Sequence, residues 1–401
     1  MAEISDVFFV DGMRTPFGRA GEKGMYWNTR ADDLVVKAII GVMERNAQVP
    51  GDRIDDVAIA ATSQTGDQGL TLGRSAAILA GLPMTVPGFA IDRMCAGAMT
   101  SVTTMAGSIA AGMYDVALAG GVEHMGHHPI GGNADPNPRF VAEKMVDPGA
   151  LNMGVTAERI FDRFPHLTKE RSDRYGMLSQ HKVQAAYDAG KIQPDLVPVA
   201  IKDAAGAWGL ATEDEGRRPQ TTMEDLAALK TPFRPHGRVT AGTSSPLTDG
   251  ATMSLLAGGH AVKELGLRPK MRLVSYAFAG VQPEIMGIGP IPSTEKALKK
   301  AGLTIDDIGL FELNEAFAIQ VISLLDHFGI ADDDPRVNPW GGAIAFGHPL
   351  AASGVRLMIQ LAAHFQERPD VRYGLTAMCV GLGQGGSVIW ENPFYDGKKR
   401  K

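Results

Sequence analysis

The sequence predicts an α/β protein built from two similar halves, with a long segment inserted into the first half. Short β-rich runs alternate with longer helical patterns of small residues, which is typical of sheets covered by helices. Three sequence markers recur in the same order about 250 residues apart. The stretch from about Glu123 to Thr243 has no counterpart in the second half, and an insertion of that size usually carries function rather than core.

The alternation can be followed along the chain. The predicted strands are residues 7–10, 57–61, 88–91, 116–119, 310–312 and 374–378. The predicted helices are residues 32–46, 99–113, 293–301, 316–328 and 354–365. The helix at 99–113 has no charged residue, and small or apolar side chains stand on almost every face. We therefore expect it to be buried all round, in the middle of a large structure.

The recurring markers relate one half of the chain to the other. The run RIDDV at 53–57 returns as TIDDI at 304–308, and each is followed by a small-residue loop that opens a helix, at 94–97 and 347–350. After each helix a strand leads into glycines, at 118–121 and 378–381. We therefore divide the chain into an N-terminal half (1–122 plus 244–272), an inserted loop domain (123–243) and a C-terminal half (273–401).

Length and composition restrict the class of protein. The 401 residues are 44% hydrophobic and 21% charged, which is ordinary for a soluble globular protein of two or three domains. Disorder, collagen and coiled coil are excluded as descriptions of the whole chain. With 39 Lys and Arg against 45 Asp and Glu, the net charge is −6, so no positive field attracts a nucleic acid.

The cysteine count and the absence of long apolar stretches indicate a compartment. The 2 cysteines cannot form a disulfide framework, which favours a reducing environment. The N-terminus does not have the pattern of a signal peptide, and no run approaches the length of a membrane span. We expect a cytoplasmic protein, with the basic run at 398–401 as a solvated terminus.

Cys95 is the first candidate for chemistry. It follows the predicted strand at 88–91 and begins the uncharged helix. A cysteine at a helix N-terminus faces free N–H groups and the positive end of the helix dipole, so its pKa of about 8.5 could fall toward neutrality. Cys95 is therefore either a nucleophile or a small buried hydrophobic residue, which free cysteines usually are.

Cys379 stands at the end of a predicted strand, just before the glycine-rich turn at 381–386. Such turns expose backbone N–H groups that can hold an anion. The turn lacks the GK[ST] ending of a phosphate loop, and no helix clearly follows it. Cys379 is therefore a candidate acid or base next to an oxyanion hole.

Two further polar residues and one histidine cluster remain open at this point. His348, among small residues at a helix start, is either a satisfied structural group or a base. Asn314 could simply cap a helix. His124, His127 and His128 lie close together without a second cluster at ligand spacing, so we predict no metal site.

Taken together, these motifs resemble the thiolase family. The pieces occur in family order and at family spacing across nearly the whole chain. They are RTPFG at 14–18, the Cys95 loop, GGVE at 120–123, MGVTAE at 153–158, TAGTSS at 240–245, NEAF at 314–317, the segment at 341–354 and the Cys379 loop. The resemblance turns Cys95, Cys379 and His348 from structural residues into expected catalytic ones.

The resemblance implies a five-layered α/β/α/β/α fold and reversible Claisen chemistry on coenzyme A thioesters, with no metal or redox cofactor. It implies that Cys95 is the acylated nucleophile and that Cys379 shuttles the proton. His348 would activate Cys95 and donate to the thioester oxygen, and Asn314 would hold a water that completes this oxyanion hole. The N–H groups of Cys95 and Gly381 would form a second one.

The family pattern also suggests residues that bind coenzyme A. It places Ser245 on the pantetheine, Arg218 near the adenine end and Met286 near the reactive end, although Arg217 fits the adenine position nearly as well. Asn152 stands where many relatives have a pantetheine-contacting histidine. Other departures from the pattern are Ala351 and Leu382, which replace frequent glycines, and His124, where serine or alanine is common.

We expect an acetyl-CoA C-acyltransferase, acting mainly as a degradative 3-ketoacyl-CoA thiolase of fatty-acid β-oxidation through a Cys95 acyl-enzyme. Acyl-CoA and CoA are the expected partners. The resemblance and the uncharged helix at 99–113 favour a homodimer or homotetramer, alone or within a β-oxidation complex.

Three other functions compete with this one. A short-chain acetoacetyl-CoA thiolase shares every catalytic residue and differs only in the acyl tunnel. A catalytically idle acyl-CoA-binding or scaffold subunit is opposed by the presence of all the catalytic side chains. A decarboxylating condensing enzyme would need a second histidine where Asn314, Glu315 and Cys379 stand.

Overall fold

Every strand and helix predicted from the sequence is present, with ends that differ by a few residues. The computed structural model describes residues 5–132, 134–203 and 205–397, so the basic run at 398–401 lies outside the described residues. The strands are β1 (Val7–Arg14), β2 (Gly18–Arg19), β3 (Asp56–Ala60), β4 (Phe89–Ile91), β5 (Val116–His124), β6 (Val199–Lys202), β7 (Trp208–Ala211), β8 (Thr248–Gly258), β9 (Met271–Gly280), β10 (Ile308–Leu313), β11 (Tyr373–Val380) and β12 (Gln384–Glu391). The helices are α1 (Ala31–Arg45), α2 (Leu72–Leu79), α3 (Gly97–Ala110), α4 (Arg139–Ala142), α5 (Met153–Arg163), α6 (Lys169–Asp188), α7 (Met223–Ala227), α8 (Gly259–Glu264), α9 (Pro290–Ala301), α10 (Ala318–His327), α11 (Ala343–Phe346) and α12 (Ser353–Glu367).

The large sheet has two halves with the same internal pattern. Its strand order is β10-β11-β12-β9-β1-β8-β5-β3-β4. In the first half, β3 and β5 are parallel, and β8 and β1 follow with antiparallel pairing. In the second half, β10 and β11 are parallel, and β12 and β9 follow in the same way. The halves join where β1 meets β9 through two residue pairs, Phe8 with Arg272 and Phe9 with Met271.

Helices cover both faces of each half-sheet and produce five layers. One apolar core lies between α1, α2 and the outer face of the first half, and another lies between α9, α10 and the outer face of the second half. A central core lies between the two half-sheets, where α3 packs against α12. Alternate residues of one strand show the division, because Val57 and Ile59 enter the first outer core and Ala58 enters the central one. The expected α/β/α/β/α fold is confirmed.

The uncharged helix, α3, is buried on almost every face, and within α3 itself only Thr104 and Gly107 are exposed. A Cβ on Gly97 would stand 2.6 Å from the Cβ of Ala60. A Cβ on Gly354 of α12 would stand 2.5 Å from the backbone nitrogen of Met99. Small residues are needed because the backbones approach closely. The second half of the same chain accounts for this burial, so the helix gives no separate support for an oligomer, which stays a prediction.

The inserted segment between β5 and β8 contacts both halves. Two side chains of α6 hold a buried carboxylate that follows β10: the Ser179 hydroxyl donates to Glu315 over 2.6 Å and the Tyr175 hydroxyl over 3.1 Å. On the other side, Arg14 of β1 forms a buried ion pair of 2.6 Å with Asp214. The division into three domains stays a prediction. Within the described ranges, no helix is both long enough and apolar enough to cross a membrane.

Candidate active site

A cavity of about 350 Å³ opens where the inserted segment faces the two halves. Its wall contains Cys95 and His348 from the predicted catalytic set, and Ser245, Met286 and Asn152 from the predicted CoA set. Much of the remaining wall is apolar, formed by Met125, Ile130, Leu151, Met153, Phe233, Leu247, Phe317 and Leu350. The cavity therefore offers an apolar surface beside a small number of polar groups, as small-molecule sites usually do.

Cys95 lies in a 3₁₀ turn, Met94–Ala96, directly before α3, and its side chain is almost completely buried. Burial raises the pKa of the Cys95 thiol to about 12, although hydrogen bonds from the N–H groups of Gly381 and of Cys95 itself act to lower it. Our expectation that the helix N-terminus brings this pKa toward neutrality is wrong. The loss of solvent outweighs the N–H groups, so Cys95 is a neutral thiol at rest.

His348 lies in the turn before α12, in the second half. Its Nδ1 is 2.6 Å from the Ser353 Oγ, and the Ser353 hydroxyl itself donates to the Pro349 carbonyl oxygen at 3.4 Å. The Ser353 oxygen therefore accepts the Nδ1 proton, which leaves a lone pair on Nε2. Burial lowers the pKa of His348 to about 3, and the charge of Arg356 contributes. The His348 imidazole is therefore neutral, with an unprotonated Nε2.

Asn314 follows β10 and does not cap a helix, since α10 begins at Ala318. Its backbone N–H donates to the Ala377 carbonyl oxygen over 2.9 Å, which fixes it beside β11. Its Nδ2 is 3.3 Å from the His348 Nε2. The capping alternative is excluded, and the amide stands next to the imidazole.

Cys379 lies near the end of β11 and is completely buried. Burial raises the pKa of its thiol above the ordinary range, and the neighbouring Cys95 raises it further. Two residues on, a Cβ at Gly381 would stand 2.6 Å from the Met94 Sδ, so a larger residue there would displace the Met94 side chain. Leu382, which interrupts the usual glycines, has a φ of +59°, in the left-handed region that favours glycine.

The structure thus brings the predicted catalytic residues together from both halves. Cys95 comes from the first half, and Asn314, His348, Cys379 and Gly381 come from the second. The His348 imidazole and the Asn314 amide are joined directly, and Cys95 is close enough to Cys379 to raise the pKa of the Cys379 thiol.

The predicted CoA-binding residues have different surroundings. The Ser245 N–H donates to the Ala316 carbonyl oxygen over 3.0 Å, which holds the residue at the cavity wall. Met286 is buried against the same wall. The Asn152 Oδ1 caps α5 by accepting from the N–H groups of Gly154 and Val155 over 3.1 and 3.2 Å, so only its amide nitrogen remains for a ligand.

Arg218 does not line this cavity. Its backbone N–H donates to the Gln180 Oε1 over 2.7 Å, and its exposed guanidinium has no partner in the part of the chain that the structure describes. Arg217 is engaged, because it pairs with Glu213 and lies 3.8 Å from the centre of the Tyr187 ring. Of the two arginines, Arg218 is the one free to meet a ligand.

Several residues that support the site were not recognised from the sequence. The Glu123 carboxylate accepts from the Ala351 N–H of the turn after His348 over 3.3 Å and from the Gln68 Nε2 over 3.0 Å. Burial raises the pKa of Glu123. Ser353 and Arg356 were also missed. Both are polar residues that follow His348 closely, on the otherwise largely apolar helix α12, and that pattern could have marked them as partners of the site.

The histidine cluster has carboxylate partners instead of metal-ligand geometry. His127 Nδ1 and His128 Nε2 lie 2.9 and 2.5 Å from the two oxygens of Asp67. The His124 ring stacks on the His127 ring at 3.7 Å. Among the described residues, no group of three or more His, Cys, Asp or Glu side chains is arranged to hold a metal ion.

Comparisons with known proteins agree with the geometry. The family model "Thiolase, N-terminal domain" matches residues 7–259, and "Thiolase, C-terminal domain" matches residues 267–392. The chain is 43% identical to a 3-ketoacyl-CoA thiolase of Saccharophagus degradans, over 96% of this chain and 98% of that protein. It is 41% identical to a 3-ketoacyl-CoA thiolase of Idiomarina loihiensis, over 97% and 100%.

Solved structures give the same result. Human mitochondrial 3-ketoacyl-CoA thiolase superposes with a TM-score of 0.88 at 32% identity, and the Bacillus anthracis acetyl-CoA acetyltransferase with 0.87 at 32%. Each comparison covers 98% of this chain and 100% of the other. Fold and comparisons together define an acyltransferase enzyme. The chain belongs to the thiolase family.

Proposed function

We propose that this protein is an acetyl-CoA C-acyltransferase that cleaves 3-ketoacyl-CoA with CoA, yielding acetyl-CoA and a shortened acyl-CoA. The observation that carries the proposal is that Cys95 and His348, whose Nε2 is unprotonated, share the wall of one apolar cavity, with the buried Cys379 thiol close enough to be affected by Cys95. The names of the relatives reported above support the same substrate class.

The first half-reaction forms an acyl-enzyme. The Cys95 sulfur attacks the keto carbon while its proton moves to the His348 Nε2. Because burial keeps both groups neutral at rest, with a pKa of about 12 for the thiol and about 3 for the imidazole, the proton moves during the attack rather than before it. The bond between the α and β carbons then breaks, and the acetyl-CoA enolate takes a proton from Cys379.

The second half-reaction returns the enzyme to its starting state. CoA gives its thiol proton to the Cys379 thiolate and attacks the acyl group on Cys95. The Cys95 sulfur leaves and recovers its proton from His348, so protons and charges balance over the cycle. A thioester on sulfur is similar in energy to the substrate thioester, so neither half-reaction ends in a deep minimum.

Two groups of donors serve the oxygens that become negative. The N–H groups of Gly381 and Cys95 already point at the Cys95 sulfur, where they can meet the oxygen of a tetrahedral intermediate. His348, once it carries the proton, and Asn314 can serve the thioester oxygen of the enolate, the Asn314 amide through the water it is expected to hold. Preorganised donors of this kind supply a large part of the rate enhancement in acyl transfer.

A chain-length series tests the proposal. Acetoacetyl-CoA and 3-ketoacyl-CoAs of increasing length are assayed for CoA-dependent cleavage. The similarity to an acetyl-CoA acetyltransferase keeps a short-chain acetoacetyl-CoA thiolase as the second candidate, and activity confined to acetoacetyl-CoA would support it. Binding of acyl-CoA with no cleavage at any length would support an idle binding subunit instead.

We further propose that the enzyme is a cytoplasmic homo-oligomer of β-oxidation that needs no cofactor. β4 is an edge strand of the sheet, and nearby Leu70, Leu79 and Met84 are 89%, 56% and 71% exposed. Open edges and apolar patches are typical of interfaces. A monomer in light scattering at micromolar concentration would refute the oligomer. Because every step moves only protons and acyl groups, full activity after dialysis against EDTA is expected.

A further inference from the structure

Arg356 is a buried cation directly behind the catalytic amide. It lies on α12 with no solvent exposure. Its Nη1 donates to the Gln360 Oε1, and it is 3.7 Å from the Glu312 Oε2. Its Nε has no hydrogen-bond partner among the described residues. A desolvated charge with an ion pair this long is expensive for the fold, so stability alone is a weak reason for its presence.

The contact between Arg356 and Asn314 decides which way the amide faces. The Arg356 Nη2 donates to the Asn314 Oδ1 over 3.3 Å. A guanidinium has donors and no acceptor, so the amide oxygen must be the atom on the Arg356 side. The amide nitrogen is then the atom 3.3 Å from the His348 Nε2. With the amide reversed, its nitrogen would face the guanidinium donors and its oxygen would face the lone pair of Nε2.

We propose that Arg356 is a positioning residue for the thiolase reaction, holding the Asn314 amide so that one N–H points at His348 and the other serves the water expected beside the substrate oxygen. This inference rests on the proposed function. Arg356 touches no substrate in it and acts only through Asn314 and His348.

The charge of Arg356 has a second effect at the same place. Burial first, and then the positive charge of Arg356, lowers the pKa of His348 to about 3. The imidazole therefore remains neutral and able to accept the Cys95 proton. Besides His348, four charged groups act on Arg356: Glu312, Glu315, Arg14 and Asp214. His364 of the same helix lies 3.1 Å from Glu312. Around His348, the Cys95 thiol shares the cavity wall, and the Glu123 carboxylate accepts from the N–H of Ala351 in the following turn.

The test compares three variants of the full-length enzyme. R356Q removes the charge, E312Q/R356Q also removes the carboxylate that faces it, and R356K keeps the charge with a shorter reach. For each we measure folding by circular dichroism, kcat and KM for a 3-ketoacyl-CoA, and the pH dependence of Cys95 alkylation by iodoacetamide. The alkylation needs no substrate, so it is independent of the proposed activity.

The neutral variants are expected to lose about 10- to 100-fold in kcat, less than the 10²- to 10³-fold typical of deleting an oxyanion donor itself. KM should stay within about threefold. Without the nearby cation the His348 pKa rises, so the acid limb of the alkylation profile moves to higher pH. R356K should keep the limb in place and lose kcat, because a compact ammonium does not reproduce the guanidinium geometry.

Q360L is the matched control, because Gln360 contacts Arg356 and neither Asn314 nor His348. It should keep kcat within about threefold and leave the limb unmoved. The proposal would be overturned if R356Q and E312Q/R356Q fold, keep the wild-type kcat and leave the acid limb of the alkylation profile in place. It would also be overturned if the loss of activity merely followed the loss of folded protein. If both neutral variants unfold, wild-type kcat in R356K overturns it. Wild-type protein that cleaves no 3-ketoacyl-CoA would instead refute the proposed function.

Discussion

The Nδ1 of His348 donates to the Ser353 hydroxyl oxygen over 2.6 Å, and this bond fixes the tautomer in which Nε2 carries no proton. In S353A the buried Nδ1–H has no acceptor, a loss of about 1–3 kcal/mol. We expect kcat for thiolysis to fall by about 10- to 100-fold, since 1.4 kcal/mol is a factor of ten. Steady-state kinetics measures the loss, and S353T, which keeps the hydroxyl, is the control. A kcat for S353A within twofold of wild type would show that the tautomer does not depend on Ser353.

Replacing the nucleophile should abolish turnover without unfolding the protein. In C95S the hydroxyl replaces a thiol of similar size, and a hydroxyl is a far weaker nucleophile. We expect thiolysis to fall by at least about 10³-fold, with a thermal unfolding midpoint close to that of the wild type. Assays of CoA-dependent cleavage, together with calorimetry, check both halves of this prediction. Turnover within tenfold of wild type would make Cys95 a structural residue.

Replacing the second cysteine should separate the two half-reactions. C379A can still take an acyl group from a simple acyl-CoA onto Cys95, because that exchange creates no carbanion. Cleavage of a 3-ketoacyl-CoA needs a proton at the acetyl carbon, so its rate should fall by the roughly 10²- to 10⁴-fold typical of losing one acid–base group. Mass spectrometry of the labelled acyl-enzyme and steady-state rates measure the two effects. Absence of labelling would mean that Cys379 helps to activate Cys95.

Acid should weaken the fold through His348. Its pKa is lowered from 6.5 to about 3 by burial and by Arg356. The neutral imidazole therefore contributes its full stability above pH 6.5 and loses it as the pH falls toward 3. Between pH 7 and pH 5 the loss is about 2 kcal/mol. Urea unfolding of wild type and H348N at the two pH values isolates this contribution. A difference between the two proteins that does not change with pH would contradict the assignment.

The sequence allowed the alternation and the two halves to be predicted because the strands it identified are apolar runs. β8 was missed even though all its residues are buried. It contains buried hydroxyl residues that donate hydrogen bonds to other segments. The Thr252 hydroxyl donates to the Ala352 carbonyl oxygen over 2.7 Å, and the Ser254 hydroxyl donates to the Ala119 carbonyl oxygen over 2.6 Å. Such a strand has no apolar pattern, and its burial depends on neighbours that are distant in the chain.

The candidate site shows the same limit. The positions of the predicted catalytic side chains followed from local motifs, but the Cys95 pKa did not, because its largest contribution is burial in the folded chain. The choice between Arg217 and Arg218 depended on two contacts of Arg217 that the structure shows, with Glu213 and with the ring of Tyr187, which lies 30 residues earlier in the chain. Asn152 could be named from the sequence as a possible contact of the pantetheine. Its role as a helix cap could not, because the start of α5 was not predicted.

The central core has a consequence for synthesis of the chain on the ribosome. The last strand of the first half, β8, ends at Gly258, whereas α12, which covers α3, begins only at Ser353. At translation rates of about 5–20 residues per second, the partner helix emerges roughly 5 to 20 s later. During that interval the nascent first half carries an uncovered face of Met99, Val102 and Met105. We expect chaperones to bind this apolar face on the unfinished polypeptide. We also expect shortened or stalled chains to aggregate through it.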